Sequence, residues 1–285
     1  MDSSRFLVVG AGGQLGTALQ KHFPEAQAAD RDTLDITDRA SVESYDWSSV
    51  DVIINAAAFT NVDGAETAEG RKSAWQVNAH AVANLASAAI AHDLTLVHVS
   101  TDYVFDGTER THSEHETFTP IGVYGQSKAA GDLAASIAPK QYILRTSWVI
   151  GEGKNFVRTM MSLADRDISP TVVGDQIGRL TFTSTLVDAI DHLLSNQSPY
   201  GTYNVTNDGD SVSWADITRA IFKELGRDDL TVTDTTTAEY FAGKEGIAPR
   251  PLQSTLDLAK IKSAGLTLRD WRDDLHTYIS QQPKE

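Results

Sequence analysis

No cysteine occurs anywhere in this 285-residue chain. That excludes a disulfide framework, a thiolate zinc site and a cysteine nucleophile. Basic residues are scarce as well: 24 lysines and arginines stand against 39 acids, for a formal net charge of -15. So acidic a chain lacks the basic surface that nucleic acid requires, and it can hold an anionic small molecule only where a few cations converge against the overall field. There is no apolar run of 18 residues or more and no N-terminal signal pattern, so the expectation is a cytoplasmic protein with no membrane partner. The eight histidines are scattered without ligand spacing, and no metal is expected. What remains, 41% hydrophobic and 22% charged residues, is enough to bury a large core in one big domain or two smaller ones.

The N-terminal stretch Arg5–Val9 reads as a short buried strand, followed by Gly10-Ala11-Gly12-Gly13-Gln14-Leu15-Gly16 and a helical run from Thr17. Glycines at 10, 13 and 16 permit a tight turn, close approach of backbone to a pyrophosphate, and close helix packing, with the phosphates at the positive helix end. A glycine loop alone is a weak signal; between a strand and a helix it points to a dinucleotide. A weak second strand over 25–29 ends at Asp30, where an acid about 20 residues after the loop meets the adenosine ribose. Neighbouring Arg31 could instead accept a 2'-phosphate, so NADH and NADPH both stay open. Leu34-Asp35-Ile36-Thr37-Asp38 leads into a helix with Thr37 or Asp38 as its cap. Asp51–Ile54 is a buried strand running into three alanines, Ala56–Ala58, that leave room for something flat against the backbone. A long helix is expected over 74–92, with Trp75, Val82, Leu85 and Ala89 as core.

The stretch 96–132 carries the chemistry. Leu96–Val99 suits a buried strand and turns abruptly polar at Ser100-Thr101-Asp102; Tyr124 and Lys128 follow at i and i+4 in a helical run that begins at Val123. Free tyrosine titrates near pH 10, and a cation one turn away favours its phenolate, so the lysine is expected to lower that value and make Tyr124 a usable acid-base group. An isolated Tyr-x-x-x-Lys is usually only a surface pair, and the glycine loop supplies the context against that reading.

Farther on, Tyr142–Arg145 is another strand, and Trp148 just beyond it either stacks on a ligand or packs. Helices are expected over 155–164, 183–195 (opened by a Thr or Ser cap) and 214–225, strands over 171–173 and 203–205, and an irregular polar stretch over 230–251. The fold expected is α/β: a Rossmann-type doubly wound parallel sheet in residues 1–150, with 151–285 mainly a smaller, interleaved substrate-binding lobe and 170–205 returning to the sheet. For an anionic ligand Arg250 is the first candidate, because the proline after it could aim it back at the cleft; Arg179 and Lys154 are weaker ones.

Together the glycine loop, Leu34–Asp38, Asn55–Ala58, Val77-Asn78-Ala79, Ser100-Thr101-Asp102-Tyr103-Val104-Phe105-Asp106-Gly107, Tyr124-Gly125-Gln126-Ser127-Lys128, Arg145-Thr146-Ser147-Trp148 and Arg250-Pro251 resemble the dTDP-4-dehydrorhamnose reductases, a group of extended short-chain dehydrogenase/reductases. The resemblance spans nearly the whole chain. It implies reduction of the 4-keto group of dTDP-4-dehydro-L-rhamnose to dTDP-L-rhamnose, for cell-surface polysaccharide, with NADPH or NADH as cofactor. By it Thr101, Tyr124 and Lys128 are the catalytic triad. Gly10, Gly13, Gln14, Leu15, Gly16, Asp30, Arg31, Asp35, Ile36, Ala58, Phe59, Thr60, Val99, Tyr124 and Lys128 match cofactor positions. Thr60, Val62, Thr101, Asp102, Tyr103, Tyr124, Trp148 and Arg250 match the substrate side. The expected partner is the dTDP-sugar, with pairing into a homodimer left open. Phe59, Leu180 and Gln253 depart from the family's pattern, the last two within the substrate lobe. Two rivals share the frame. A nucleotide-sugar dehydratase or epimerase is one, although a dehydratase carries an Asp-Glu pair after the threonine and here Tyr103 follows Asp102. A non-catalytic cofactor-binding regulatory subunit is the other.

Overall fold

The computed structural model describes residues 2–282. Strand β1 (Phe6–Val9) runs through the glycine turn into α1 (Gln14–His22), and β2 (Gln27–Ala29) leads to α2 (Arg39–Ser44), where the Asp38 carboxylate accepts from the Ala40 amide at 3.0 Å. Next come β3 (Val52–Asn55), α3 (Ala68–Trp75), α4 (Ala81–Ala91), β4 (Thr95–Thr101), α5 (Val123–Ala135) and β5 (Gln141–Thr146). The chain then passes through β6 (Val149–Ile150), α6 (Phe156–Asp165), β7 (Thr171–Val173), β8 (Ile177–Gly178), β9 (Thr181–Phe182), α7 (Thr183–Ser195) and β10 (Gly201–Asn204). It closes with β11 (Val212–Ser213), α8 (Trp214–Glu224), β12 (Thr233–Thr235), α9 (Thr237–Phe241), α10 (Ala259–Ser263) and α11 (Trp271–Ser280).

The main sheet has six strands in the order β2-β1-β3-β4-β5-β10, all parallel. Parallel strands are covered on both faces, which is why β1 and β3 are continuous apolar runs without alternation. Phe6 and Val8 pack with Leu15 and Leu19 of α1 and Leu186 and Ile190 of α7, while Leu7 and Val9 pack on the opposite face with Val42, Val82 and Leu85. This is the doubly wound architecture the sequence predicts. The order reverses between β1 and β3, so a crevice opens outside their carboxyl ends, where ligands of such sheets sit.

A second cluster lies beside the sheet. Ile150, Val157, Met160, Leu180, Phe182, Ile217, Ile221 and Trp271 form its core. Its strands pair as β6 with β9, β7 with β12, and β8 with β11. The stretch 170–205 therefore divides: β7 to β9 lie with this cluster, whereas α7 packs on β1 and β10 pairs with β5.

Four local expectations are corrected. The helix expected over 74–92 begins earlier, at Ala68, and is interrupted by a π turn over Gln76–His80 that separates α3 from α4. Trp75, expected in the core, is 37% exposed, because that turn rotates it off the face that Val82 and Leu85 bury. Helix α7 is capped by Phe182 with no side-chain hydrogen bond; the Phe182 amide instead donates to Asn207 Oδ1 at 2.9 Å. The stretch 230–251 is not wholly irregular, since it contains β12 and α9. Among the described residues no helix is long and apolar enough to cross a membrane.

Candidate active site

The glycine loop forms a cradle at the switch point. Gly10 takes a φ of +79°, and a Cβ there would lie 2.6 Å from the Ala57 nitrogen; a Cβ on Gly16 would lie 2.2 Å from the Gly10 carbonyl. Neither position can carry a side chain without moving backbone. Gly13 caps α1 with no side-chain hydrogen bond, so the first-turn amides of Gln14, Leu15 and Gly16 have no partner within the helix and remain available to an anion. The backbone of Ala56 and Ala57 lies directly against Gly10. This donor set and shape fit a dinucleotide pyrophosphate.

At the rim, Asp30 and Arg31 are exposed beyond β2. Asp30 Oδ1 accepts from the amides of Asp32 (3.1 Å) and Thr33 (3.0 Å) and from the Thr33 hydroxyl (2.9 Å), and these bonds hold its carboxyl below the usual range. Asp35 is turned toward the Thr37 hydroxyl at 2.6 Å, and the carbonyl of buried Ile36 accepts from Asn84 at 2.9 Å.

Thr101 ends β4, buried, its hydroxyl 3.0 Å from Asp102 Oδ1 and accepting from the Tyr103 amide at 3.2 Å. Helix α5 starts beside it, its Val123 amide held by Glu66 Oε1 at 2.9 Å. A Cβ on Gly125 would fall 2.1 Å from the Tyr103 carbonyl, so α5 lies directly on that turn. The contact brings the Tyr124 ring edge-on to Tyr103, with centroids 5.5 Å apart. Lys128, only 2% exposed, donates from Nζ to the Val99 carbonyl at 2.7 Å.

The electrostatics differ from expectation. Burial pushes the Tyr124 phenol well above its ordinary value, and the charge on Asp102 adds to the shift, with the Thr101 hydroxyl acting the other way. Lys128 does not pull it down. Its own ammonium is depressed to about 8 by burial, against the opposing charge of Asp132. Spacing placed both side chains on one face but carried no information on how far that face would be desolvated.

Of the residues expected on the substrate side, Asp102 is buried with Oδ2 unpartnered, and burial raises its carboxyl to about 6, partly offset by Ser254, Thr101 and His112. Trp148 adopts a φ of +48°, a strained value for a bulky residue, and stacks on Trp214 with centroids 3.8 Å apart. Arg250 Nη2 lies 2.8 and 2.9 Å from the two Asp63 oxygens, Nη1 donates to the Ala248 carbonyl at 2.7 Å, and the guanidinium sits 4.7 Å from the Phe241 ring centroid. Thr60 and Val62 lie in the same loop as Asp63. The two weaker cation candidates are corrected. Arg179 is buried, donates to the Leu256 carbonyl and faces Asp208 at 3.9 Å, while exposed Lys154 approaches the cradle only through its carbonyl, which accepts from Gln14 at 3.4 Å. Leu180 lies in the lobe's core. Gln253 serves through its backbone, the amide donating to Gly107 and the carbonyl accepting from His112.

Two side chains not assigned to the site from sequence support it. Asn78, in the π turn, accepts from the Phe59 amide (2.8 Å) and donates to the Phe59 carbonyl (3.1 Å) and the Ser127 hydroxyl (3.0 Å), tying the cofactor-side loop to α5. Nothing in the sequence distinguishes it from Gln76 and Asn84, the other amides of the same stretch. Trp214 read only as the start of an amphipathic helix; nothing in the sequence shows that it meets Trp148.

The chain matches the family model described as the RmlD substrate binding domain over residues 4–283. It is 43% identical to a dTDP-4-dehydrorhamnose reductase of Aggregatibacter actinomycetemcomitans, covering 94% of this chain and 96% of the relative. It is 36% identical to the spore coat polysaccharide biosynthesis protein SpsK of Bacillus subtilis, with 98% of each covered. Among solved structures it is similar to the dTDP-4-dehydrorhamnose reductase of Bacillus anthracis in complex with NADP, with a TM-score of 0.90, 34% identity, and 99% of this chain and 100% of the other covered.

Proposed function

Since this chain belongs to the RmlD substrate binding domain family, we propose that it is an NAD(P)H-dependent oxidoreductase that reduces the 4-keto group of dTDP-4-dehydro-L-rhamnose to give dTDP-L-rhamnose. The observation that carries the reading is the meeting of Thr101, Tyr124 and Lys128 at the carboxyl end of β4, beside a cradle shaped for pyrophosphate. A nicotinamide cofactor held at the Gly10–Gly16 cradle would supply a hydride to the keto carbon. Charge then develops on the keto oxygen, and the Thr101 hydroxyl and Tyr124 phenol donate to it where water is excluded. Tyr124 gives up its proton to that oxygen: its O–H bond breaks as the product's O–H forms. A phenol held protonated by burial is already loaded for this step, and Lys128, one turn along α5, would hold the nicotinamide ribose. Val99 fixes the lysine from below.

The cofactor part of this reading comprises β1 to β5 with their helices together with α7, β10 and α10, and β6 with the other C-terminal elements forms the substrate lobe. Arg31 at the rim favours a 2'-phosphate, and Asp30, its carboxylate engaged by Asp32 and Thr33, opposes it only in part; both NADPH and NADH are expected to serve. Asp102, Tyr103 and the Trp148–Trp214 stack face the sugar, and Arg250 meets the diphosphate, exchanging part of its bonding with Asp63. Pairing of two copies completes the picture. The solvent faces of the packed helices α4 and α5 carry no Asp, Glu, Lys or Arg, since Lys128 and Asp132 are buried, and they expose Ile90 (47%) and Leu133 (59%), with Ile137 (60%) just beyond.

Incubation of the purified protein with dTDP-4-dehydro-L-rhamnose and NADPH tests the reading. Loss of reduced nicotinamide in step with formation of a product two hydrogens heavier is expected. Release of water from a dTDP-sugar without net NADPH use would identify a dehydratase, and cofactor binding without turnover of any keto sugar would identify a regulatory subunit.

A further inference from the structure

Behind the catalytic face lies a buried polar cluster that the proton transfer does not itself use. Lys128 makes no ion pair among the described residues; its one hydrogen bond there goes to the Val99 carbonyl. One turn along α5 is Asp132, 1% exposed, whose Oδ2 accepts from Arg145 Nε at 2.9 Å. Arg145 is fixed in turn: it donates to the Glu114 carbonyl at 3.1 Å and lies over the Phe105 and Phe118 rings, at 5.3 and 4.8 Å. Asp132 Oδ1 has no hydrogen-bond partner and sits 3.9 Å from His98 Nε2, which also has none. His98 Nδ1 lies 3.1 Å from Asn55 Nδ2 and must accept that proton, while burial and the Lys128 charge hold the ring neutral. The groups around this part of the site are therefore Tyr124 and Asp132 on α5, neutral His98 on β4, Arg145 on β5, and Asp102 and Tyr103 beyond β4.

Of these, Asp132 is the group whose charge favours the protonated lysine. Burial lifts the Asp132 carboxyl above its ordinary range, while Arg145, Ser100 and Lys128 act against that, and the Arg145 contact at 2.9 Å favours the ionised form. We propose that Asp132, anchored by Arg145, is a positioning residue for Lys128: a fixed, buried counter-charge that keeps the lysine an ammonium at working pH and holds it in line with Tyr124. The inference rests on the reading that Tyr124 and Lys128 perform the proton transfer. Its cost is visible in the structure, because a buried ion pair is a weak source of stability and is retained here beside the one lysine the chemistry requires.

The test is the pH profile of kcat/KM for Asp132→Asn and Asp132→Glu. With the counter-charge gone, the lysine loses its proton at lower pH, so in Asp132→Asn the alkaline limb should move down by about one pH unit, reading as about a fivefold loss at pH 8 and little change at pH 6. Asp132→Glu should return the limb toward its original place, which a purely structural role does not require. A folded Asp132→Asn enzyme with an unmoved limb overturns the proposal, whatever its kcat. Should that variant not fold, carbon-13 NMR titration of the unmodified protein decides: Asp132 ionised and Lys128 protonated at pH 7 support the idea, and a protonated Asp132 or a neutral Lys128 overturns it. Tyr124→Phe separates the two levels. If it keeps near-normal turnover, the reading beneath fails and this inference with it; if it loses turnover while the Asp132→Asn limb is unmoved, only this inference fails.

Discussion

In the proposed mechanism the proton comes from Tyr124, so Tyr124→Phe should lower kcat by a factor of about 100 or more while the Kd for NADPH stays within about twofold, read by single-turnover kinetics and cofactor titration. Arg250→Ala should raise KM for the dTDP-sugar about tenfold and leave that for NADPH unchanged, because the guanidinium belongs to the lobe side of the cleft. Asp102 gives a stability prediction with a definite sign. Its native carboxyl titrates at about 6 rather than 3.8, so between those values the folded form keeps a proton that the unfolded chain has lost, and stability falls as pH rises through that window. Asp102→Asn should remove that fall, by roughly 3 kcal/mol between about pH 4 and pH 7 in urea denaturation; an unchanged pH dependence would show that Asp102 titrates normally. At this scale the sequence revealed identities more readily than environments. Spacing and resemblance single out Thr101, Tyr124 and Lys128 as candidates, but the burial that raises the phenol depends on what packs over it. The partner of Arg250 lies 187 residues away in the chain, where no spacing rule reaches.

Among the elements, α5 makes the sharpest case for tertiary context over local preference. Gly125→Ala ought to strengthen an isolated helix by about 1 kcal/mol. Here the added carbon would fall 2.1 Å from the Tyr103 carbonyl, so the helix must shift away from Thr101, and activity should drop by a factor of about 100 while far-UV circular dichroism changes little. An active Gly125→Ala enzyme would show that α5 need not press on that turn. Periodicity located most of the strands and helices of the main sheet because their apolar faces are wide and regular. It missed the π turn at Gln76–His80, since one extra residue in a helix alters the phase of the pattern without breaking it, and Trp75 was placed in the core on the uninterrupted phase. It also missed the cap of α7, where Thr183 and Ser184 offered hydroxyls but Asn207, from beyond β10, took the Phe182 amide.

Across the whole molecule, a net charge of -15 sets the terms on which copies meet each other. The uncharged α4–α5 face is where like charges oppose least, and under the proposed pairing Leu133→Glu should shift sedimentation toward monomer with kcat little changed; an unaltered species would overturn pairing through this face. The doubly wound class was legible from the alternation of strands and helices, whereas the order of strands was not, because parallel pairing joins segments far apart in sequence. That same order has a consequence in time. The face of β1 that bears Phe6 and Val8 is completed by Leu186 and Ile190 and, with them, by Leu258, Ile261 and Leu268. A ribosome releases the first of these apolar residues long before the last, so a chain emerging strand by strand carries an open hydrophobic face through most of its own synthesis. Its yield in the cell should therefore depend on translation speed and on holding chaperones more than its final stability would suggest.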